Sequence, residues 1–159
     1  MSGPMQYSVE TANLFKCTTF SFVLIRFRSG DRSNVQDGAV IHARGVFGNT
    51  TSNKGGFPTI IGSDVSLGHK ACVHGCVIED KVLIGINAVV LDGALIKPYT
   101  LVAAGAVVTP GKVLDGGLWA GTPARKIRDL TDDERQMLID NASNYVELMG
   151  VWKEHKILD

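Results

Sequence analysis

Between Ile61 and Val113 the aliphatic residues recur in sixes. One unit runs Ile61-Gly62-Ser63-Asp64-Val65-Ser66, and the next Leu67-Gly68-His69-Lys70-Ala71-Cys72. The third, Val73-His74-Gly75-Cys76-Val77, is one residue short, and the count resumes at Ile78, Ile84, Val90, Ile96, Val102 and Val108. Each unit opens on an aliphatic residue, and four places later stands a small or β-branched one: Val65, Ala71, Val77, Val82, Ala88, Ala94, Thr100, Ala106. Neither a helix (period 3.6) nor a lone strand (period 2) gives such a spacing. Self-similarity at a fixed period is therefore read before local propensity.

A six-residue unit fits a short strand followed by a tight turn, one flat side and one corner. Three sides make a coil of about 18 residues, and coils stack at the ~4.8 Å strand spacing. The expected fold is all-β, a parallel β-helix whose opening and small residues point inward. Earlier sixes, Ser29 to Asn34, Val35 to Val40 and Ile41-His42, belong to the same coil. Repeats are expected over 29–113, interrupted by a loop at 43–59 rich in Gly, Asn, Ser and Thr. Loops of that length inside a compact domain are usually functional or mobile. Residues 1–28 carry no sixes and form an atypical N-terminal segment, with one strand expected over Thr18 to Phe27.

Residues 114–130 read as a connector, with Gly121-Thr122-Pro123-Ala124-Arg125 turning out of the coil. A helix is expected over 131–152. Thr131 and Glu134 form a capping box, and Asp132 and Asp133 suit the positive end of the helix dipole. Leu138, Ala142, Tyr145, Met149 and Trp152 form one apolar stripe, and Gly150 is expected to end or loosen the helix. The stripe could cover an open coil end or lie along the side of the coil.

Composition adds limits. The 159 residues suit one domain, and 18 Gly suit a chain that turns often. Zero formal net charge, from 16 basic and 16 acidic residues, argues against nucleic acid or an anionic membrane as partner. No apolar run approaches the ~20 residues that span a bilayer. The expected compartment is the cytoplasm, or the mitochondrion for a eukaryotic source. Three cysteines, Cys17, Cys72 and Cys76, do not make a disulfide framework. Cys72 and Cys76 read as small buried residues.

Three of the four histidines fall in the repeats. Grouping the sixes into coils puts His42 and His74 at equivalent places on the third side, one strand spacing apart, close enough to share a metal. His69 falls on the second side, near another corner. One coil would struggle to bring it to the same ion, but coils packed side by side would let His69 of one subunit face His42 and His74 of the next. Three nitrogen ligands with an open fourth position are the catalytic zinc pattern.

The stretches Gly30-Asp31-Arg32-Ser33-Asn34-Val35-Gln36-Asp37-Gly38, Val40-Ile41-His42-Ala43 and Val65 to Gly75 closely resemble the γ-class carbonic anhydrases. The resemblance runs from about Phe27 to Trp152. It implies a left-handed β-helix and a homotrimer with one divalent metal at each subunit interface: zinc, with iron or cobalt as alternatives. It also implies reversible hydration of carbon dioxide to bicarbonate by metal-bound hydroxide. His42, His69 and His74 match the family's metal ligands. Gln36 matches the residue that hydrogen-bonds the hydroxide, Asn34 and Asp37 its polar neighbours, and Tyr145 an aromatic residue near the site.

The sequence departs from the family upstream. The family's usual Arg-Gly-Asp-like stretch supplies an Arg and an Asp that line the site; here those positions hold Ser21 and Val23. This motivates an alternative, a metal-binding scaffold subunit with weak or no catalysis. A hexapeptide acyltransferase, which shares the coil and the Gly-x-Pro-Ala exit, is the third reading.

Overall fold

The computed structural model describes residues 27–43 and 57–154, with side chains from 29 to 144. The first coil is β1 (Phe27–Ser29), β2 (Asn34–Val35) and β3 (Val40–His42); the second is β4 (Thr59–Ile61), β5 (Ser66–Leu67) and β6 (Cys72–His74). Next come β7 (Val77–Ile78), β8 (Leu83–Ile84) and β9 (Val89–Val90), then β10 (Leu95–Ile96), β11 (Thr100–Val102) and β12 (Val107–Val108). The stack continues past Val113 through β13 (Val113–Leu114) and β14 (Gly117–Ala120), and β15 (Arg125–Arg128) then turns back antiparallel to β14. Every third strand pairs in parallel, giving three sheets: A (β1-β4-β7-β10-β13), B (β2-β5-β8-β11-β14, edged by β15) and C (β3-β6-β9-β12). This is the left-handed parallel β-helix, followed by one helix, α1 (Asp132–Glu154).

The core is the inside of the coil. The opening residues Leu67, Val73, Ile78, Ile84, Val90, Ile96, Val102, Val108 and Leu114 are fully buried. Two places before most of these openers a small or β-branched residue also points in, such as Thr59, Val65, Ala71, Ala88 and Thr100. Corner residues pay the conformational cost, with Arg32, Asp64, Lys70, Lys81, Asn87 and Tyr99 all at positive φ. Gly85 shows why small residues follow openers: a Cβ there would lie 2.6 Å from Ala104 N of the next coil. Across the long insertion, Arg32 grips Asp64 with two parallel bonds (Nε–Oδ1 2.7 Å, Nη2–Oδ2 2.8 Å).

The short unit is a short corner. Pairings that cross it step by 17 residues (Ile60↔Val77, Cys72↔Val89), and those beyond it by 18 (Val77↔Leu95, Val89↔Val107). The missing residue therefore lies between Val73 and Val77. This corrects one expectation: Val77 does not fill the small inward place, because the lost residue moves Cys76 into it, and Cys76 is buried.

The helix lies along the side of the coil, over the outer face of sheet B. Asn34 and Ser66 point outward from that sheet yet are buried, and Asn141 Nδ2 donates to Ser66 Oγ at 2.8 Å. Leu138 and Ala142 are buried beside it, while Arg135 stacks on the Tyr99 ring. The helix thus starts beside the fourth coil and runs back toward the first. Both halves of the capping box form: the Glu134 N–H donates to Thr131 Oγ1 (3.2 Å) and the Thr131 N–H to Glu134 Oε2 (2.9 Å). Gly150 does not end the helix, which continues to Glu154.

Arg128 adds two bonds to the Glu134 carboxylate (2.6 and 2.7 Å), holding it down to about 2. A carboxylate depressed in the fold contributes stability above its ordinary value of 4.5, and this is lost as pH falls through about 2. Glu134→Gln is expected to lower the melting temperature at pH 7, with the difference from the parent shrinking as pH falls from about 4.5 through about 2. Thr131→Ala is expected to cost about 1 kcal/mol. Thermal melts followed by ellipticity check both.

Candidate metal centre

The corner after sheet C carries two of the three histidines. His42 ends β3 and His74 ends β6, directly paired in register, with ring centroids 4.8 Å apart and planes 27° from parallel. The stacking follows from the solenoid, which sets equivalent residues of successive coils one strand spacing apart. Thr59 clamps the backbone beneath them: its Oγ1 donates to the His42 carbonyl (2.5 Å) and accepts from the Gly75 N–H (2.9 Å). The same Gly75 N–H also reaches the His42 carbonyl at 2.9 Å.

His74 has a carboxylate partner. Asp92, on the corner that follows β9, places Oδ1 against His74 Nδ1. That leaves the imidazole's other nitrogen, Nε2, for a ligand. Gly75 makes the approach feasible. It sits at φ +55, and a Cβ there would lie 2.6 Å from Asp92 Oδ1 and 2.8 Å from Phe57 Cβ. Sequence reasoning missed Asp92, because an acid on a corner followed by Gly reads as an ordinary solvated turn. Laying Val90-Leu91-Asp92-Gly93 over Val73-His74-Gly75, as His74 is laid over His42, is the signal that finds it.

His69 stands at the corner between sheets B and C and is exposed. Among the described residues, no three His, Cys, Asp or Glu side chains gather at one point, so one chain brings together His42 and His74 but not His69. Gln36 occupies the His69 corner one coil below. Its N–H donates to the Leu67 carbonyl (3.0 Å), and its Oε1 accepts the His69 backbone N–H (3.2 Å). Asp37 is exposed beside it, with its carbonyl taking the Lys70 N–H at 3.0 Å. Asn34 is buried on the outer face of sheet B. Its Nδ2 donates to Ser66 Oγ at 2.7 Å, and its Oδ1 has no hydrogen-bond partner among the described residues. Tyr145 lies on α1 one turn beyond Asn141, toward the first coil; its side chain is outside those described. Ser21, Val23, Cys17 and most of the 43–59 loop also lie outside the described residues.

Cys76 is buried in the core, whereas Cys72, expected to be buried as well, is only half-buried. Burial pushes the Cys76 thiol up to about 12 and raises that of Cys72, so both stay protonated at neutral pH. Both are free.

The donors present fit a divalent metal of the zinc type. Two imidazoles face the same corner, one of them oriented by a carboxylate, and this is how proteins present histidine to zinc.

Comparison with known proteins agrees with this architecture. The Bacterial transferase hexapeptide (six repeats) family matches residues 75–110. "Gamma carbonic anhydrase 1, mitochondrial" of Arabidopsis thaliana is 40% identical over 122 residues, covering 75% of this chain and 42% of that protein. The chain thus spans less than half the length of this relative. "Probable carbonic anhydrase" of Methanocaldococcus jannaschii is 41% identical over 128 residues, covering 80% of this chain and 74% of that protein. The crystal structure of a hexapeptide transferase family protein from Anaplasma phagocytophilum superposes with a TM-score of 0.65 at 33% identity, covering 75% of this chain and 64% of that one. The repeat solenoid, the paired histidines and a carbonic anhydrase relative matched over most of its own length place this chain in the γ-class carbonic anhydrase family.

Proposed function

We propose that this protein is a metal-dependent carbonic anhydrase that interconverts carbon dioxide and bicarbonate. One divalent metal is held between subunits of a homotrimer by His42 and His74 of one chain and His69 of the next. The stacked His42–His74 pair, with His74 Nδ1 bound by Asp92, carries the reading. A cyclic trimer joins unlike surfaces, one corner of a subunit meeting a different corner of its neighbour. That is the contact required when two ligands stand on one corner and the third on another.

A zinc ion so held supplies Lewis acidity that makes water a nucleophile near neutral pH; iron or cobalt would serve the same role. The chain's own residues do the rest. Asp92 and Thr59 hold the imidazole corner in place. Gln36 is anchored through Oε1 on the His69 N–H, and its amide would supply the polar group that the family likeness assigns beside the metal. Asp37 supplies a carboxylate beside Gln36, and Asn34 a buried amide on the outer face of sheet B; Tyr145, on α1, is the aromatic residue that the family likeness assigns to the site.

A scaffold subunit that binds metal without hydrating carbon dioxide is the second reading, favoured by Ser21 and Val23 at positions the family usually gives to Arg and Asp. An acyl-transfer reading is favoured by the transferase-family likeness and by the His74–Asp92 pair, which has the make-up of a general base and its orienter. Stopped-flow hydration on zinc- or cobalt-loaded protein separates the three. The proposal expects a rate well above a His74→Ala control. Metal at one per subunit with no rate favours the scaffold, and retention of coenzyme A without metal favours acyl transfer.

A further inference from the structure

The short corner has a use beyond bringing Cys76 into the core. We infer that Asp92 is the positioning residue of the metal centre, holding a proton on His74 Nδ1 so that Nε2 is the nitrogen presented to the metal. The inference rests on the metal reading above for its consequence, though not for its geometry.

Three observations converge on it. The first is the missing residue. Asp92 belongs to the coil after His74, and a full-length corner between Val73 and Val77 would place one more residue beside it. The second is the missing side chain. At Gly75 a Cβ would meet the Asp92 carboxylate at 2.6 Å, so the space the carboxylate occupies exists only because this residue is glycine. The third is cover from the far side. Phe57 packs its ring over Gly93, where an added Cβ would lie 3.2 Å from Cε1, and its Cβ packs against Gly75. Phe57 therefore flanks the Asp92 corner on both glycines. His74 and Asp92 are both largely shielded, with side chains 30% and 21% exposed, and shielding strengthens a hydrogen bond to a carboxylate.

The chemistry follows from the imidazole. Neutral histidine carries one proton and can place it on either ring nitrogen. A carboxylate at Nδ1 accepts that proton's hydrogen bond, fixes the tautomer and the ring plane, and raises the basicity of Nε2. His42 gains by contact, since its ring stacks on the ring that Asp92 holds. One carboxylate thereby organises two ligands.

The test uses the full chain, first without metal. In histidine-labelled apo protein, long-range nitrogen–proton correlation should show His74 protonated at Nδ1. Asp92→Ala should shift it toward the Nε2-protonated form, while Asp92→Asn, whose amide oxygen still accepts, should keep much of the Nδ1 form. Zinc and cobalt affinities are then measured by chelator competition, with circular dichroism and native mass as controls for fold and assembly. Asp92→Ala should weaken both metals about 10–100-fold, with a smaller loss for Asp92→Asn. An unchanged His74 tautomer in Asp92→Ala, or affinities within about twofold of the parent, overturns the inference. If Asp92→Ala does not fold, the tautomer of the parent protein decides, and an Nε2-protonated His74 overturns it. Failure of the parent chain to bind either metal would sink the metal reading instead, and the apo tautomer would still report on Asp92.

Discussion

His74→Ala is expected to bind zinc or cobalt at least 100-fold more weakly than the parent, above the range of about 10–100-fold lost when an outer supporting residue is removed. Carbon dioxide hydration should fall to the uncatalysed background. The size of the effect has three sources. A nitrogen ligand is lost, Asp92 loses the imidazole it orients, and His42 loses the ring against which it stacks. The fold should hardly notice. His74 is a partly exposed corner residue, and such substitutions usually change stability by less than about 1 kcal/mol. Chelator competition, stopped-flow hydration and a denaturant melt on the same preparation check all three points.

Ile84→Ala is expected to do the reverse, costing stability heavily without touching a site residue. Ile84, the last residue of β8, opens its six-residue unit, in register with Leu67 below and Val102 above, and all three are fully buried. Truncation leaves a hole in the middle of the inward column, flanked by coils that cannot close it without breaking their own register. A loss of about 2–5 kcal/mol is expected. That is a large part of the ~5–15 kcal/mol that holds a domain together, and it lowers the melting temperature by on the order of 10 °C. Ile127→Ala serves as the contrast. That side chain is 58% exposed on β15, and its loss should change stability by no more than about 0.5 kcal/mol. Denaturant and thermal melts of the two variants decide whether stability resides in the inward column.

The inward column was legible because the coil repeats one environment. Leu67, Ile84 and Val102 can be read from spacing alone, since each must be aliphatic for the same reason. The capping box of Thr131 and Glu134 was legible because it is local. What escaped the spacing was where the pattern is altered. The five-residue unit was visible, but the assignment of Val77 to the core missed that Cys76 takes the small place once a residue is lost. The repeats, expected to end at Val113, run on: Gly111 at φ +68 turns one more corner, and Leu114 is fully buried beyond it. The seat of the helix was not readable, because apolar residues point outward on every side: Val77 and Leu95 on sheet A, Leu83 and Leu101 on sheet B, Val89 and Val107 on sheet C. The buried Asn34 and Ser66, with Asn141 bonded to Ser66, mark the side it takes.

The candidate site divides in the same way. The stacking of His42 on His74 follows from coil arithmetic, because equivalent positions must superpose. The separation of His69 follows too, since it stands on a different corner. Asp92 could not be read from local sequence. Its meaning depends on a residue that is absent and a side chain that Gly75 does not have.

The central claim is that each metal is shared between neighbouring chains, and subunit mixing tests it most directly. His69→Ala and His74→Ala chains are purified separately, unfolded, mixed in equal amounts and refolded with zinc. If His69 of one chain completes the site built on His42 and His74 of the next, an interface is restored wherever a His69→Ala subunit offers its histidine pair to the intact His69 of a His74→Ala subunit. Random assembly should then recover about a quarter of the parent's bound metal and hydration rate, although each variant refolded alone recovers neither. A mixture no more active, and no richer in metal, than the two variants refolded separately would contradict the shared site.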